Sequence, residues 1–184
     1  MEIARIKIEN FRGVKNSELL FSNHTVLVGD NNVGKSTILE SIDLTLWPDR
    51  FSKYPVIDEH DFYTVEYLTN DTPIEIYIET VIINLTDEQI RHFNTNIEWW
   101  DLNNKSFINE VRKTNDKNVV AALRIAFKGY YDKEEDDFTG KTYFCNPKEV
   151  SDDQPQFRKN DKRMCGFLYL RTLRTGSRAL SLER

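Results

Sequence analysis

The chain has little cysteine: Cys145 and Cys165 are the two in 184 residues. Two are too few for a disulfide framework, and their positions fit no zinc-ligand spacing. Such usage belongs to a reduced, intracellular compartment. No apolar run is long enough to cross a bilayer as a helix. The opening Met1-Glu2-Ile3-Ala4-Arg5 has neither the charged nor the apolar region of a signal peptide. The expected address is therefore cytoplasmic, with no membrane partner. Positive charge is not in excess either, since 25 Lys and Arg face 30 Asp and Glu for a net charge of −5. No global field advertises nucleic-acid binding, which leaves that role to a local basic patch. Internal repeats and low-complexity linkers are also missing. What remains is an ordinary polar chain, 39% hydrophobic and 30% charged, with enough length for one good core or two small ones.

Against that background one stretch is specific. Gly29-Asp30-Asn31-Asn32-Val33-Gly34-Lys35-Ser36-Thr37 fits G-x-x-x-x-G-K-[ST], the phosphate-binding loop, without mismatch. An apolar run, Val26-Leu27-Val28, leads in, and a helical pattern leads out. Gly29 and Gly34 permit backbone angles that turn consecutive N–H groups inward around a phosphate. A helix starting near Gly34 would aim its unsatisfied N–H groups and positive dipole end at the same anion. In such a loop Lys35 reaches the β- and γ-phosphates and the Ser36 hydroxyl ligates Mg²⁺. Thr37 either bonds the α-phosphate or caps the helix. Nucleotide binding is thus expected through Gly29, Asn31, Asn32, Val33, Gly34, Lys35, Ser36 and Thr37.

The rest of the chain reads as α/β. Residues 2–10 alternate as a strand broken by Phe11-Arg12-Gly13, with short strands to follow at 19–21 and 25–28. His24 is a turn residue. Ile38, Leu39, Ile42 and Leu46 recur at helical spacing over about 35–46, and Pro48 ends the run. Residues 50–67 are irregular. From Pro73 a second, antiparallel sheet is expected: Ile74 to Val81 alternates with isoleucines inward and Glu75 and Glu79 outward. A short helix follows, Thr86 being its N-cap and Gln89 completing a capping box. Trp99 and Trp100 read as loop tryptophans plugging the core. Residues 119–131 and 141–145 form a hairpin across the charged tip Lys133–Asp137. Residues 146–163 read as loop, and Gly166-Phe167-Leu168-Tyr169-Leu170 as a buried strand rejoining the phosphate-loop sheet.

Several nucleotide machines use such a loop. Asp137-Phe138-Thr139-Gly140 matches the D-x-x-G switch of GTPases, but it falls in the hairpin tip and no N-K-x-D accompanies it, so the match is accidental. The opening points elsewhere. Ile6-Lys7-Ile8-Glu9-Asn10-Phe11-Arg12-Gly13-Val14, followed at the expected distance by Val28-Gly29-Asp30-Asn31-Asn32-Val33-Gly34-Lys35-Ser36-Thr37, resembles the N-terminus of the RecF/SMC/Rad50 branch of ABC-type ATPases. Within it, Glu59-His60-Asp61-Phe62-Tyr63 and the arginine-dotted Phe167–Arg174 are similar to the OLD-family ATP-dependent nucleases.

That resemblance implies ATP with Mg²⁺ as cofactors, a homodimer closed over nucleotide, and DNA as a partner of the full-length protein. It implies Arg12 beside the nucleotide, a position that reads equally as a strand-end arginine on the surface. It implies Asp61 near the Q-loop position, touching Mg²⁺ or the attacking water. Asp61 reads equally as a helix N-cap or loop acid, and no other catalytic candidate is assigned. The arginines after Leu170 (Arg171, Arg174 and Arg178) could meet phosphate or simply be solvated. Departures are as informative. Val56-Ile57-Asp58-Glu59 is too short, too early and too close to Pro55 to be a Walker B strand. A signature motif and the acidic cluster of a Toprim nuclease are not found. The expectation is an ABC-type P-loop NTPase N-terminal lobe with a mixed sheet and an antiparallel β insertion. The lobe would comprise about 1–50 and 164–184 and the insertion about 70–146, the whole being the N-terminal part of a longer ATPase and incomplete for hydrolysis.

Overall fold

The computed structural model describes residues 1–31, 33–49, 56–108, 117–146 and 154–168. The elements run β1 (Glu2–Phe11), β2 (Val14–Leu20), α1 (Lys35–Leu46), β3 (Leu68–Thr69), β4 (Thr72–Pro73) and β5 (Ile76–Ile83). After them come α2 (Asp87–Phe93), β6 (Ile97–Asp101), β7 (Ser106–Phe107), β8 (Val119–Asp132), β9 (Asp137–Phe144) and α3 (Lys159–Cys165). Two short 3₁₀ turns, Glu59–Asp61 and Tyr63–Val65, lie between α1 and β3.

This is the expected α/β class, built on a seven-stranded sheet ordered β2-β1-β5-β8-β6-β7 with β9 also on β8. All pairings among the described residues are antiparallel. β5 pairs with β1 from Glu2↔Ile83 to Glu9↔Tyr77 and with β8 from Ile76↔Gly129 to Ile82↔Leu123. The strand expected to open a second sheet is therefore central to the first. Alternation reveals which face a strand buries; it carries no information about the neighbour it pairs with. On its other edge β8 carries β6 over its first residues and β9 over its later ones.

Three further expectations are corrected. Residues 25–28 join no ladder, and Val26 and Val28 are 82% and 88% exposed. Residues 159–165 form a helix rather than loop, closed by Gly166 at φ 63°. That C-cap displaces the start of the expected strand 166–170, and Leu168 is 67% exposed. Tyr169, Leu170, Arg171, Arg174 and Arg178 lie outside the described residues. Finally, Trp99 and Trp100 sit in β6, where Trp100 is buried edge-on against Phe107.

The two faces of the sheet differ in chemistry. One buries Ile6, Ile8, Ile78, Ile125 and Phe127 together with Ile42, Leu44 and Leu46 of α1, each aliphatic side chain contributing about 1.5–3 kcal/mol. Phe127 lies across the cross-strand pair Gly129↔Gly140: a Cβ at Gly140 would stand 2.5 Å from its ring and one at Gly129 2.9 Å. Close packing therefore accounts for the glycine of the accidental D-x-x-G match. The other face joins a small apolar cluster, including Val81, Trp100 and Ala122, to a charged one. Glu79, expected outward in solvent, is 7% exposed. It accepts hydrogen bonds from Arg5 at 2.6 Å and Tyr77 at 3.0 Å. Arg124 is held by a two-pronged contact to Glu98, both bonds at 2.8 Å, and stacks on Phe107.

Candidate functional site

α1 begins at Gly34, whose φ of 91° places it in the left-handed region that favours glycine. At Gly29, with φ 157°, an added Cβ would also come within 2.9 Å of a Val33 methyl. The first helical hydrogen bond runs from the Ile38 N–H to the Gly34 carbonyl at 3.1 Å, so the amides of Lys35, Ser36 and Thr37 precede the helical ladder. Gly34 provides no side-chain cap, and the first turn contains no acidic residue. The positive end of the α1 dipole is thus left without an internal counter-charge.

These amides border a cleft of about 750 Å³ lined by Gly13, Val14, Asn31, Val33, Gly34, Lys35, Ser36 and Thr37. Lys35 folds back over the loop, its Nζ donating to the carbonyls of Gly29 at 2.7 Å and Asp30 at 2.6 Å. Ser36 is the second residue of α1 and Thr37 the third, with Gly34 as the N-cap. Asn32 lies outside the described residues. The set of backbone amides, one lysine and one hydroxyl around a helix N-terminus suits a phosphate group with its Mg²⁺.

Arg12 and Asp61 are brought into contact beside this cleft. Arg12 occupies the β1–β2 turn at φ 49°. Its Nε donates to Asp61 Oδ1 at 2.8 Å, and its backbone N–H donates to the Asp61 carbonyl, also at 2.8 Å. Asp61 Oδ2 accepts from the Asp58 N–H at 3.2 Å, closing a capping box on the first 3₁₀ turn. Of the two roles weighed for Asp61, the geometry shows the loop acid: it closes the capping box of its turn and bonds Arg12, the residue before Gly13 of the cleft wall. A second cleft of about 410 Å³, lined by Arg12, Gly13, Asp58, His60, Asp61, Phe62, Thr64 and Val65, shares Gly13 with the first. Thr64 and Val65 have φ of 56° and 61°, an uncommon state for β-branched residues that costs roughly 1–3 kcal/mol each.

Glu40, Gly13 and Val14 belong to this region and escaped the sequence reading. Glu40 looked like any polar residue on the outer face of a helix, and its contact with Arg12 joins positions far apart in the chain. The cysteines take no part in chemistry here. Burial pushes both thiols up, Cys145 to about 12 and Cys165 to about 12, so neither ionises near neutral pH. Among the described residues no cluster of three or more His, Cys, Asp or Glu could hold a metal ion. No helix among them is long and apolar enough to cross a membrane.

The chain is similar to the DNA double-strand break repair Rad50 ATPase of Methanopyrus kandleri, 47% identical over 53 residues. That stretch is 28% of this chain and 6% of the relative, so the chain spans a small part of that protein's length. A solved chain from work on the structural biochemistry of ATP-driven dimerization and DNA-stimulated activation of SMC ATPases is 13% identical, with a TM-score of 0.48. That likeness extends over 100% of this chain and 92% of that one and is loose. The family described as AAA ATPase domain matches residues 1–165, and the chain therefore belongs to it.

Proposed function

We propose that this chain is the ATP-binding lobe of an ABC-type ATPase of the RecF/SMC/Rad50 kind that acts on DNA, and that its parent is an OLD-like ATP-dependent endonuclease. The observation that carries the nucleotide reading is the uncapped N-terminus of α1. Its amides open into the 750 Å³ cleft under Lys35, and family membership supports ATP as the ligand. Lys35 and the amides of the loop would hold the phosphates. Ser36 would offer its hydroxyl to Mg²⁺, which would neutralise charge on the β- and γ-phosphates. Hydrolysis by these residues alone is expected to be weak, because activation of the attacking water needs groups this set does not supply. Homodimerisation over nucleotide, DNA binding by the longer protein and a cytoplasmic location complete the reading.

Calorimetric titration of ATP–Mg²⁺ into the wild type and Lys35→Ala tests it. Binding by the wild type and at least about a tenfold loss in the variant, roughly 1.4 kcal/mol, is the expected result. Equal binding by both would refute the site, and no binding by either would make the loop vestigial and the chain an interaction module. A second reading, a Rad50- or RecF-like repair ATPase without its own nuclease, is favoured by the similarity to the Methanopyrus kandleri Rad50. Metal-dependent DNA cleavage by the full-length protein separates the two.

A further inference from the structure

Three pieces of chain meet at the mouth of the phosphate-loop cleft, and one side chain joins them. Arg12 donates through Nε to Asp61 and through Nη1 to Glu40. Glu40 projects from α1, the helix whose N-terminus forms the loop. Asp61 is 5% exposed, and its segment is docked on the hairpin by the Phe11↔Phe62 bridge and the Arg12 N–H bond to its carbonyl. The two residues after Arg12, Gly13 and Val14, line the cleft. A Val14 methyl lies 3.9 Å from where a Cβ on Gly34 would be.

An exposed ion pair on its own contributes little. Here a single guanidinium spans two carboxylates on different elements, one of them buried, which a fork of five donors can do and a lysine ammonium cannot do in the same geometry. We propose that Glu40 and Asp61 are positioning residues for the nucleotide site: through Arg12 they fix the Gly13-Val14 wall against α1 and set the width of the cleft. This rests on the nucleotide reading of that cleft. It also differs in sign from the simpler role of Arg12 as a charge facing phosphate. If Glu40 merely drained that charge, Glu40→Gln would strengthen ATP binding. As one jaw of a clamp, its loss weakens it.

The test is ATP–Mg²⁺ titration of the wild type, Glu40→Gln, Arg12→Lys and the double variant, with amide exchange measured on the nucleotide-free proteins. Glu40 is partly exposed, so Glu40→Gln folds, and an unchanged thermal midpoint checks this. Each single variant is expected to weaken ATP about fivefold, and the double no more than either single, because both break one clamp. Amides of Gly13, Val14 and Lys15 should exchange faster in Glu40→Gln. Unchanged or tighter ATP binding by Glu40→Gln, or unchanged exchange at those amides, overturns the proposal. Should the wild type bind no ATP, the nucleotide reading falls, and the exchange measurement still decides whether the clamp exists.

Discussion

Lys162 donates its Nζ to the Leu44 carbonyl at 3.0 Å from a position 1% exposed, fastening α3 to the C-terminal half of α1. Burial pushes the ammonium down to about 7 from its ordinary 10.5, with nearby Asp43 pulling the other way. Between those two pH values the unfolded chain keeps a proton that the folded one has released. Stability from this group therefore rises with pH across the window and is flat below it. Urea unfolding from about pH 7 to pH 10 should show the rise, and Lys162→Met should remove its slope.

Gly34 stands at φ 91° at the start of α1, where an added Cβ is strained whatever space surrounds it. Gly34→Ala should cost about 1–2 kcal/mol and distort the amides that face the cleft. A lower thermal midpoint together with weaker ATP binding is the expected pair of results. Loss of stability with unchanged affinity would separate this glycine from the nucleotide site.

Glu75 and Glu79 alternate alike in sequence but lie in different surroundings. Glu79 is held by Arg5 and Tyr77 with Arg124 at 3.8 Å, whereas the Glu75 side chain is 45% exposed beside Lys128. Glu79→Gln should lose about 1.5–3 kcal/mol by removing the charged acceptor that Arg5 and Tyr77 share, while Arg124 keeps Glu98. Glu75→Gln should stay within about 0.5 kcal/mol. Denaturant midpoints of the two variants compare them directly.

Gly140→Val forces a side chain into the Phe127 ring, given the 2.5 Å separation from a Cβ at that position. Overpacking of this kind should destabilise by about 1–3 kcal/mol. Adding Phe127→Leu should give a double variant less destabilised than the sum of the singles, because both changes act on one contact.

How far the sequence led depended on the distance over which each feature is decided. The capping box of Thr86 and Gln89 was readable because it is made within one turn, and the structure closes it with bonds of 2.9 and 3.3 Å. The expectation of a phosphate loop is local in the same way, since two glycines, a lysine and a serine at fixed spacing carry it. α1, β1 and the β8–β9 hairpin followed from periodicity and local turns, whereas β2 starts at Val14, five residues before the short strand expected at 19–21. α3 was hidden because most of its residues are polar, and its place depends on a lysine reaching a carbonyl 118 positions away.

By itself, then, the sequence determined the helix that starts after Gly34 and the alternation of the main strands, both set by neighbours a few residues apart. Tertiary structure decided that β5 lies between β1 and β8, that Glu79 is buried among arginines, and that Arg12 holds Asp61 and Glu40 at the cleft. Those facts depend on which distant segments share a sheet edge or a charge. Backbone propensity and hydrophobic period do not encode that choice; burial and pairing across the folded chain do.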